Sequence, residues 1–311
     1  MQNQKVIALF GGGGYVSKHL LRSLTRLDFR VKIATRNPYL KNYLKILGSP
    51  GQVELFKCNP FDGKDVKKVL TNVDICINTI GILAEKKQTF HQVHVLIPII
   101  LSNVCNELGV KLIHISALGQ DSNTSKYMTS KREGENQIAK IMQGDSVILR
   151  PSLIIGPSCP FFSTFGSLAQ WSPVLPLIAN GRTKFAPIYI ENVCHAIVKS
   201  LELYNSKTKI FEIFGPDIFT FKELLQLFLK EIKKKRILLP IPLGLAKLQS
   251  YLLQFMRNPL LTPDMVENLR YNNVASGKYP TLKDMGINPV GIENILKKLK
   301  LWQYKSGGQF G

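Results

Sequence analysis

Four consecutive glycines, Gly11 to Gly14, stand between an apolar run that ends at Phe10 and a stretch with helical apolar spacing. A strand-to-helix turn of this kind exposes backbone N–H groups and the positive end of a helix to a phosphate, because glycine has no Cβ in the way. The third glycine of the full GxxGxxG pattern is replaced by Ser17. We interpret the turn as a site for the pyrophosphate of a dinucleotide; an ordinary glycine-rich turn is the alternative.

The next predicted strand, Val31 to Thr35, ends without an acidic residue. In NAD-binding folds an acid at this point accepts a hydrogen bond from the 2′-hydroxyl of the ribose. Arg36 follows the strand instead, and its planar guanidinium suits a 2′-phosphate. The sequence therefore favours NADP(H) as cofactor. NAD(H) stays open, because an arginine after a strand can also be a plain surface residue.

Strands and helices alternate along the first half of the chain. Short apolar runs predict the strands, and apolar residues at helical spacing predict the helices between them. After the first strand at 5–10 and its helix, the predicted strands are 31–35, 53–56, 73–77, 111–116 and 147–149, and the predicted helices are 62–70, about 90–108 and about 126–143. This alternation is typical of an α/β fold with a doubly wound parallel sheet of the Rossmann type.

The alternation lapses after Arg150, in a proline- and glycine-rich stretch that reaches Pro187. A helix over about 191–203 follows. Two amphipathic helices are then predicted, over 221–232 with apolar positions 221, 224, 225 and 228, and over 245–255 with apolar positions 245, 248, 252 and 255. We expect an NAD(P)-binding Rossmann domain over 1–155, its sheet completed by parts of 185–215, and a smaller, mixed and mostly helical substrate or partner domain over 156–311, built mainly from 156–187 and 216–311.

The composition is that of a folded protein with 311 residues, 45% of them hydrophobic, and a formal net charge of +20. The basic residues are dense only at Lys230–Arg236 and Lys297–Lys300, and neither cluster alternates with aromatic residues as in a single-strand-binding groove. We therefore expect no specific nucleic-acid partner. The charge instead suits an acidic partner or an anionic membrane surface.

The cysteines favour a reducing, cytoplasm-like compartment, because they number five and show neither a CxxC pair nor metal-ligand spacing. No metal site is predicted. The first strand begins by Lys5, which leaves no room for the apolar stretch of a signal peptide. The longest uncharged apolar run, Ile237 to Ala246, is about half the ~20 residues that a spanning helix needs. We expect a soluble or peripheral protein.

Further sequence strings resemble the extended and atypical branch of the short-chain dehydrogenase/reductase superfamily. They are Asn78–Gly81, His114–Gly119, Tyr127–Lys131 and Leu149–Pro157. Within that branch the chain is similar to bacterial relatives of the NADPH-binding 39-kDa accessory subunit of respiratory complex I, over about residues 5–300. The strings that carry this closer resemblance are Phe90–His94, Ser116–Gly119, Ser172–Ile178, Gly181–Tyr189 and Leu260–Val266.

The resemblance implies bound NADP(H) and a set of cofactor contacts. Gly11, Gly14, Tyr15 and Val16 match the residues at the pyrophosphate, and Arg36 matches the contact to the 2′-phosphate. The remaining matched positions are Asn59 and Pro60 near the adenine, Asn78, Ile80 and Gly81 beside the ribose, and Pro151 after the sixth strand.

Tyr127 and Lys131 match the YxxxK pair of the superfamily, and their spacing places both on one face of a helix. The resemblance implies that tyrosine acts as general acid or base while lysine lowers the pKa of the phenol and orients the nicotinamide ribose. Ser116 is the candidate for the catalytic serine, although only eleven positions separate it from Tyr127, and Leu118 occupies an alternative position.

Three other positions bear on the chemistry. His94 stands where extended relatives often carry asparagine, and we interpret it as a satisfied helix histidine with a site role as the alternative. Asn192 replaces an aspartate that the family usually has. Cys159, between Pro157 and Pro160, is interpreted as a packed thiol, because no nearby motif supplies a base.

Two functions follow as hypotheses. The first is a cofactor-bearing accessory protein that docks on a membrane respiratory complex or the membrane surface, at the cytoplasmic face of the inner membrane or its organellar matrix equivalent. The second is an NAD(P)-dependent reductase, dehydrogenase or epimerase for a quinone precursor, isoprenoid or nucleotide sugar. The short Ser116 to Tyr127 spacing favours the first, and the substrate of the second is unknown.

Overall fold

The structure, a computed structural model, describes residues 4–203, 208–256 and 261–299. In chain order its strands are β1 (Val6–Phe10), β2 (Arg30–Thr35), β3 (Val53–Lys57), β4 (Ile75–Asn78), β5 (Lys111–Ile115), β6 (Ser146–Pro151), β7 (Ile154–Ile155), β8 (Val174–Ile178), β9 (Lys184–Phe185), β10 (Ile188–Tyr189), β11 (Lys209–Ile213), β12 (Phe219–Thr220) and β13 (Ile237–Ile241). Its α-helices are α1 (Tyr15–Arg26), α2 (Gly63–Leu70), α3 (Ile97–Leu108), α4 (Lys126–Met142), α5 (Pro160–Trp171), α6 (Ile190–Ser200), α7 (Phe221–Glu231), α8 (Leu243–Leu253), α9 (Pro263–Asn268) and α10 (Ile292–Lys298).

The main sheet has seven parallel strands in the order β11-β6-β5-β4-β1-β2-β3. Strand β1 shows why both faces are covered: Ile7 and Leu9 belong to one core cluster, and Ala8 and Phe10 to another. Because successive side chains point to opposite faces, an unbroken apolar run needs helices on both sides. The predicted fold class, a doubly wound Rossmann-type sheet with a smaller helical C-terminal part, is confirmed.

Helices α1 and α6 pack together on one face of the sheet, and α2, α3 and α4 on the other. Chain order reverses between β1 and its neighbour β4, because the chain proceeds outwards from β1 through β2 to β3 and then returns to β4. In open α/β sheets the crevice at such a switch point, outside the carboxyl ends of the strands, is where ligands bind. The glycine turn lies at this crevice.

The chain after β6 builds smaller elements around an aromatic core. Strand pairs form between β7 and β10, β8 and β13, and β9 and β12, while α5 and α7 meet through stacked Phe162 and Phe228 rings 4.7 Å apart. The stretch 151–187, in which the sequence shows no strict alternation, contains α5 and β8. Strand β11 returns to the edge of the main sheet beside β6. The division into domains at residue 155 stays a prediction.

The helix expected over 90–108 is present, but its first part is a π-helical turn instead of a regular α-helix. A π-helical turn covers Gln92–Leu96 before α3 begins. Two causes are visible: Pro98 has no N–H to offer the carbonyl of His94, and that carbonyl is so close to Gly134 of α4 that a Cβ there would lie 2.0 Å from it. Gly134 therefore lets α4 approach this π-helical turn closely.

The two predicted C-terminal helices differ in what they bury. The apolar residues of α7 point inwards, as the pattern predicts. Helix α8 begins at Leu243 instead of Leu245, and its fully buried residues are Ala246 and Ser250. The residues predicted as its apolar face, Leu245, Leu248, Leu252 and, just beyond it, Phe255, are exposed.

Candidate functional site

The glycine turn has a backbone path that larger residues would obstruct. Gly11 has a φ of +87°, and a Cβ on it would lie 2.6 Å from Thr79 Oγ1. A Cβ on Gly12 would lie 2.2 Å from Ile33 on β2. The N–H of Gly14 donates to the carbonyl of Gly11 at 2.8 Å and closes the turn. The first turn of α1 is thereby held at the switch point with its amide groups directed into the crevice.

Ser17 substitutes a hydroxyl for the missing third glycine. It is fully buried, and its Oγ donates to the carbonyl of Gly11 at 2.8 Å and lies 2.6 Å from Thr79 Oγ1. Thr79 Oγ1 also lies 2.8 Å from the carbonyl oxygen of Phe10, so the two hydroxyl hydrogens serve two of these three contacts at a time. The serine therefore ties the turn to the end of β4, so the departure from the glycine pattern leaves a fully hydrogen-bonded turn.

The start of α1 is suited to an anion. Its N-cap is Gly14, which supplies no side-chain cap, and its first turn holds no acidic residue. Tyr15 and Val16 are the first helical residues, so their N–H groups have no partner within the helix. The side chain of Tyr15 points elsewhere: its hydroxyl is buried against Gly156 without a hydrogen-bond partner among the described residues, and burial raises its pKa.

A cleft of about 320 Å³ lies over the turn. It is lined by Phe10, Gly11, Gly12, Gly13, Gly14, Ala34, Thr35, Arg36, Lys41, Cys58, Pro60, Thr79, Ile80, Gly81, Gln88 and Ile97. Six of the cofactor residues predicted from the sequence are among them: Gly11, Gly14, Arg36, Pro60, Ile80 and Gly81. The exceptions include Asn59, whose side chain accepts the N–H of Phe61 instead, and Pro151, whose carbonyl accepts the N–H of Leu118.

Two cations, Arg36 and Lys41, line the end of the cleft beside β2. Sequence reasoning missed Lys41. It lies on a 3₁₀ helix, Tyr39–Leu47, which follows the turn at Pro38 and brings the ammonium group within 2.9 Å of the position of a Cβ on Gly13. A lysine five positions after the strand-end arginine was the available signal, but its return to the glycine turn depends on the 3₁₀ helix.

The turn after β4 is held by a buried histidine. Asn78 Oδ1 accepts the N–H of Ile80 at 3.0 Å, and Asn78 Nδ2 lies 3.0 Å from His114 Nδ1 on β5. The amide must donate here, so Nδ1 of His114 is the acceptor and Nε2 carries the proton. That Nε2 has no partner within the described part of the chain, and burial keeps the pKa of His114 well below its usual value. Asn78 thus acts by shaping the turn that presents Ile80 and Gly81.

Lys131 on α4 reaches the same turn. Its Nζ donates to the carbonyl of Ile115 at 3.3 Å and would lie 3.3 Å from a Cβ on Gly81, so it is in close contact with this turn. Burial lowers its pKa to about 8, opposed by Glu135. Glu135 is itself paired with Arg150, both largely buried. Lys131 is thus a buried cation next to the residues that line the cleft.

Tyr127 lies in the first turn of α4, and its ring packs against two other rings. Its ring centroid lies 5.8 Å from that of Phe90 and 5.4 Å from that of His94, and its N–H donates to Asp264 Oδ2 at 3.1 Å. Burial, followed by the charge of Asp264, raises the pKa of the phenol to about 12. Lys131 is not among the groups that shift this pKa, and the acid or base role of Tyr127 stays a prediction.

Ser116 lies at the end of β5, where its N–H donates to the carbonyl of Leu149. Its buried Oγ has no partner among the residues described. A hydroxyl without a partner in the interior is a group available to a ligand. The alternative position, Leu118, is buried and apolar.

His94 connects the turn after β4 with helix α4 through its two ring nitrogens. Its Nε2 accepts the N–H of Ile82 at 3.1 Å, and its Nδ1 lies 2.9 Å from Ser130 Oγ. Burial, with the charge of Lys131, lowers its pKa to about 2, so the ring is neutral. The satisfied histidine expected from the sequence therefore also fixes the turn after β4 against α4.

Asn192 and Cys159 have structural contacts. Asn192 Oδ1 accepts the N–H of Val290, and the buried sulfur of Cys159 caps α5 by accepting the N–H of Phe162.

In residues 4–203, 208–256 and 261–299, no group of His, Cys, Asp or Glu is arranged to hold a metal ion. No helix of the described chain is long and apolar enough to span a bilayer.

The fold and the cleft define a class, and comparison with known proteins agrees. The model of the NAD dependent epimerase/dehydratase family matches residues 7–213, so the chain belongs to that family. Among solved structures, the NADPH-dependent quinone oxidoreductase QOR2 of Escherichia coli, complexed with NADPH, covers 94% of this chain and 99% of its own with a TM-score of 0.73, at 15% identity.

Closer relatives are subunits of a respiratory enzyme. Subunit 9 of the NADH dehydrogenase [ubiquinone] 1 alpha subcomplex, mitochondrial, from Arabidopsis thaliana is 27% identical over 98% of this chain and 80% of its own. Its counterpart in Mus musculus is 26% identical over 97% and 82%. The resemblance inferred from the sequence is therefore confirmed, and the chain is an NAD(P)-binding short-chain dehydrogenase/reductase-like protein similar to these complex I subunits. The individual site residues stay predictions.

Proposed function

We propose that the protein binds NADP(H) in preference to NAD(H). The observation that carries this proposal is the pair of cations, Arg36 and Lys41, at the end of β2, where an acid for the ribose hydroxyl is missing. The amides of the first turn of α1 would hold the pyrophosphate, while Gly81 and Lys131 would hold the nicotinamide ribose. The unobstructed glycine turn fits this ligand, because a Cβ at Gly11 or Gly12 would clash with its surroundings.

Titration calorimetry with NADPH and NADH tests the preference. We expect NADPH to bind at least tenfold more tightly, a difference of about 1.4 kcal/mol, which is modest for charge-assisted contacts to a phosphate. Arg36→Ala and Lys41→Ala should each reduce the ratio, whereas the exposed controls Arg26→Ala and Lys45→Ala should leave it unchanged. Equal affinities of the wild type for the two cofactors would refute the assignment.

We further propose an accessory role, in which the bound cofactor stabilises the fold of a subunit-like protein without turning over. The full-length likeness to subunits of a respiratory enzyme supports this role. The partners would be the subunits of a membrane respiratory complex, at the cytoplasmic face of the inner membrane or in an organellar matrix.

Two measurements test the accessory role together. In native gels of solubilised membranes the protein should migrate with respiratory subunits identified by mass spectrometry. The purified protein should retain NADPH that added quinones, aldehydes or nucleotide sugars do not oxidise. Migration as a free monomer, with rapid oxidation of the cofactor by one of these substrates, would refute it.

A second candidate function, an NAD(P)-dependent reductase, is favoured by a groove of about 880 Å³ beside Tyr127. Phe90, Lys126 and Asp264 line it, and these residues also flank Tyr127. When bound, a nicotinamide supplies hydride transfer; Lys131, with its pKa near 8, and the unpartnered Ser116 would position a carbonyl and donate protons. If Tyr127→Phe abolished a cellular phenotype that Arg36→Ala spared, the enzymatic function would replace the accessory one.

A further inference from the structure

Helix α8 carries two apolar stripes on opposite sides. The inner stripe consists of small or partly buried residues, Leu243, Ala246, Ser250 and Leu253, which pack over a core cluster containing Ile178 and Val266. The outer stripe consists of large residues: Leu245 is 49% exposed, Leu248 67%, Leu252 77% and Phe255 84%. A surface helix normally places its larger apolar residues inwards, so α8 has the reverse arrangement.

Further exposed apolar residues lie on β13, which directly precedes α8, and at the end of α5. Strand alternation places Ile237 and Leu239 on the same side of β13 as Ile241, which packs beneath α8, and both are more than half exposed. Trp171 lies near the start of this strand, because the N–H of Ile237 donates to the carbonyl of Pro173, and it is 85% exposed. We call this surface the outer apolar face; its members are Trp171, Ile237, Leu239, Leu245, Leu248, Tyr251, Leu252, Phe255 and Met256.

The segment that carries most of the outer apolar face is strongly basic. Between residues 230 and 256 the sequence contains Lys230, Lys233, Lys234, Lys235, Arg236 and Lys247, and its single acidic residue is Glu231. Arg236 is anchored beside the face, because its Nε donates to the carbonyl of Ala169 near the end of α5. The acidic groups that approach α8 are Glu267 and Asp264 of α9 and Glu85, which line one groove with Tyr251, Phe255 and Met256; Glu267 lies 3.9 Å from Lys247.

We propose that the outer apolar face lies on an anionic lipid bilayer, with the leucines and Phe255 among the acyl chains and the lysines at the headgroups. Large aliphatic side chains beside lysines, with Trp171 and Tyr251 at the margin, are the composition of interfacial membrane surfaces. Such a face needs no matching shape in its partner, and the lysines select negative lipid. The proposal adds a contact surface to the proposed membrane location, but it requires neither the cofactor nor a respiratory complex.

Sedimentation with vesicles tests the proposal directly. The wild type should bind vesicles of phosphatidylcholine and phosphatidylglycerol at 3:1, and vesicles of phosphatidylcholine alone much less. The triple variant Leu248→Ser, Leu252→Ser, Phe255→Ser should bind the anionic vesicles at least tenfold more weakly. A matched control, Leu27→Ser with Ile218→Ser, changes exposed apolar residues outside the face and should bind like the wild type.

The charge component has its own variants. Lys230→Gln, Lys233→Gln and Lys235→Gln together should remove the part of binding that moderate salt releases; Arg236 is kept because of its contact with α5. Lys57→Gln, Lys64→Gln and Lys140→Gln, at exposed lysines elsewhere, should lose much less. NADPH affinity should stay unchanged in all four variants, so a failure here is distinguishable from a failure of the proposed cofactor site.

Two outcomes would overturn the inference. If the wild type stays in the supernatant with anionic vesicles at low salt, the face does not bind lipid, and co-migration with respiratory subunits would then assign it to a protein partner. If ultracentrifugation shows a dimer that the triple serine variant converts to a monomer, and the wild-type dimer ignores vesicles, a second copy of the chain covers the face.

Discussion

Helices α7 and α8 lie close together in sequence and have similar apolar spacing. The large apolar residues of α7 are buried, whereas those of the matching stripe on α8 are exposed. On α7, Phe221 is 4% exposed and Phe228 is fully buried; on α8, Leu252 is 77% exposed. Periodicity identifies a helix and its apolar stripe, but it does not identify what covers that stripe. The difference shows that an amphipathic pattern in this chain has two meanings, a core element in α7 and a contact surface in α8.

The difference has a local cause. Helix α7 lies against α5, where Phe228 stacks on Phe162, and its capping box through Thr220 and Glu223 fixes where it starts. The inner side of α8 contacts the core most closely through Ala246 and Ser250, and the larger Leu243 and Leu253 on that side are only partly buried. The small residues therefore determine the orientation of α8.

The largest effect expected from this comparison is on stability. Leu225→Ala on α7 should lower the free energy of unfolding by about 2–5 kcal/mol, because Leu225 is fully buried and its removal leaves a cavity. The matched change Leu252→Ala on α8 should alter it by no more than about 0.5 kcal/mol. Urea unfolding of both variants measures the difference. Equal losses would mean that the outer apolar face is covered in the free protein.

The same contrast between buried and exposed positions applies to the lysine side chains. Burial lowers the pKa of Lys131 from 10.5 to about 8, so between these pH values the unfolded chain holds a proton that the folded chain has released. Stability must then rise with pH across this window, with a slope of up to about 1.4 kcal/mol per pH unit, and the penalty of the buried charge is fully present below it.

Urea titrations of the wild type and Lys131→Met from pH 7 to 10.5 isolate this contribution. The wild type should gain stability relative to the variant as the pH rises. Lys247→Met, at a half-exposed lysine beside the outer apolar face, serves as the control for loss of an exposed lysine. A flat difference for Lys131→Met would show that Lys131 is not the buried cation described above.

Local sequence explains most of what could be predicted. Strand β1, the turn at Gly11–Gly14 and the start of α1 are consecutive, so their conformations follow from the apolar run, the absence of Cβ atoms and the helical spacing. Arg36 was found for the same reason, since it directly follows β2. The parallel sheet then follows from the alternation of such units, each of which needs cover on both faces.

Contacts between distant segments explain the rest. The π-helical turn before α3 contacts Gly134, which lies on α4. The environment of Tyr127 depends on Asp264, 137 residues later in the chain. Lys41 reaches the cleft only through the geometry of its 3₁₀ helix. The orientation of α8 also depends on distant contacts. Its sequence contains two apolar stripes, and helical spacing alone does not decide which of them faces the core.

The smallest expected effect concerns the inner stripe of α8. Ala246 is fully buried and packs with Ile178, Ile241, Leu261 and Val266. Ala246→Leu would bring three further carbon atoms into this contact and should lower the free energy of unfolding by about 1–3 kcal/mol, since an overpacked core must shift side chains or backbone. Gln249→Leu, at an exposed position of the same helix, should leave stability nearly unchanged and serves as the control for helix propensity.

The change at Ala246 also sharpens the membrane proposal. A variant in which α8 is displaced from the core should keep its outer residues and still bind anionic vesicles, whereas Leu252→Ser should lose binding without losing stability. If Ala246→Leu were neutral, close packing of the small residues would not determine which side of α8 faces outwards.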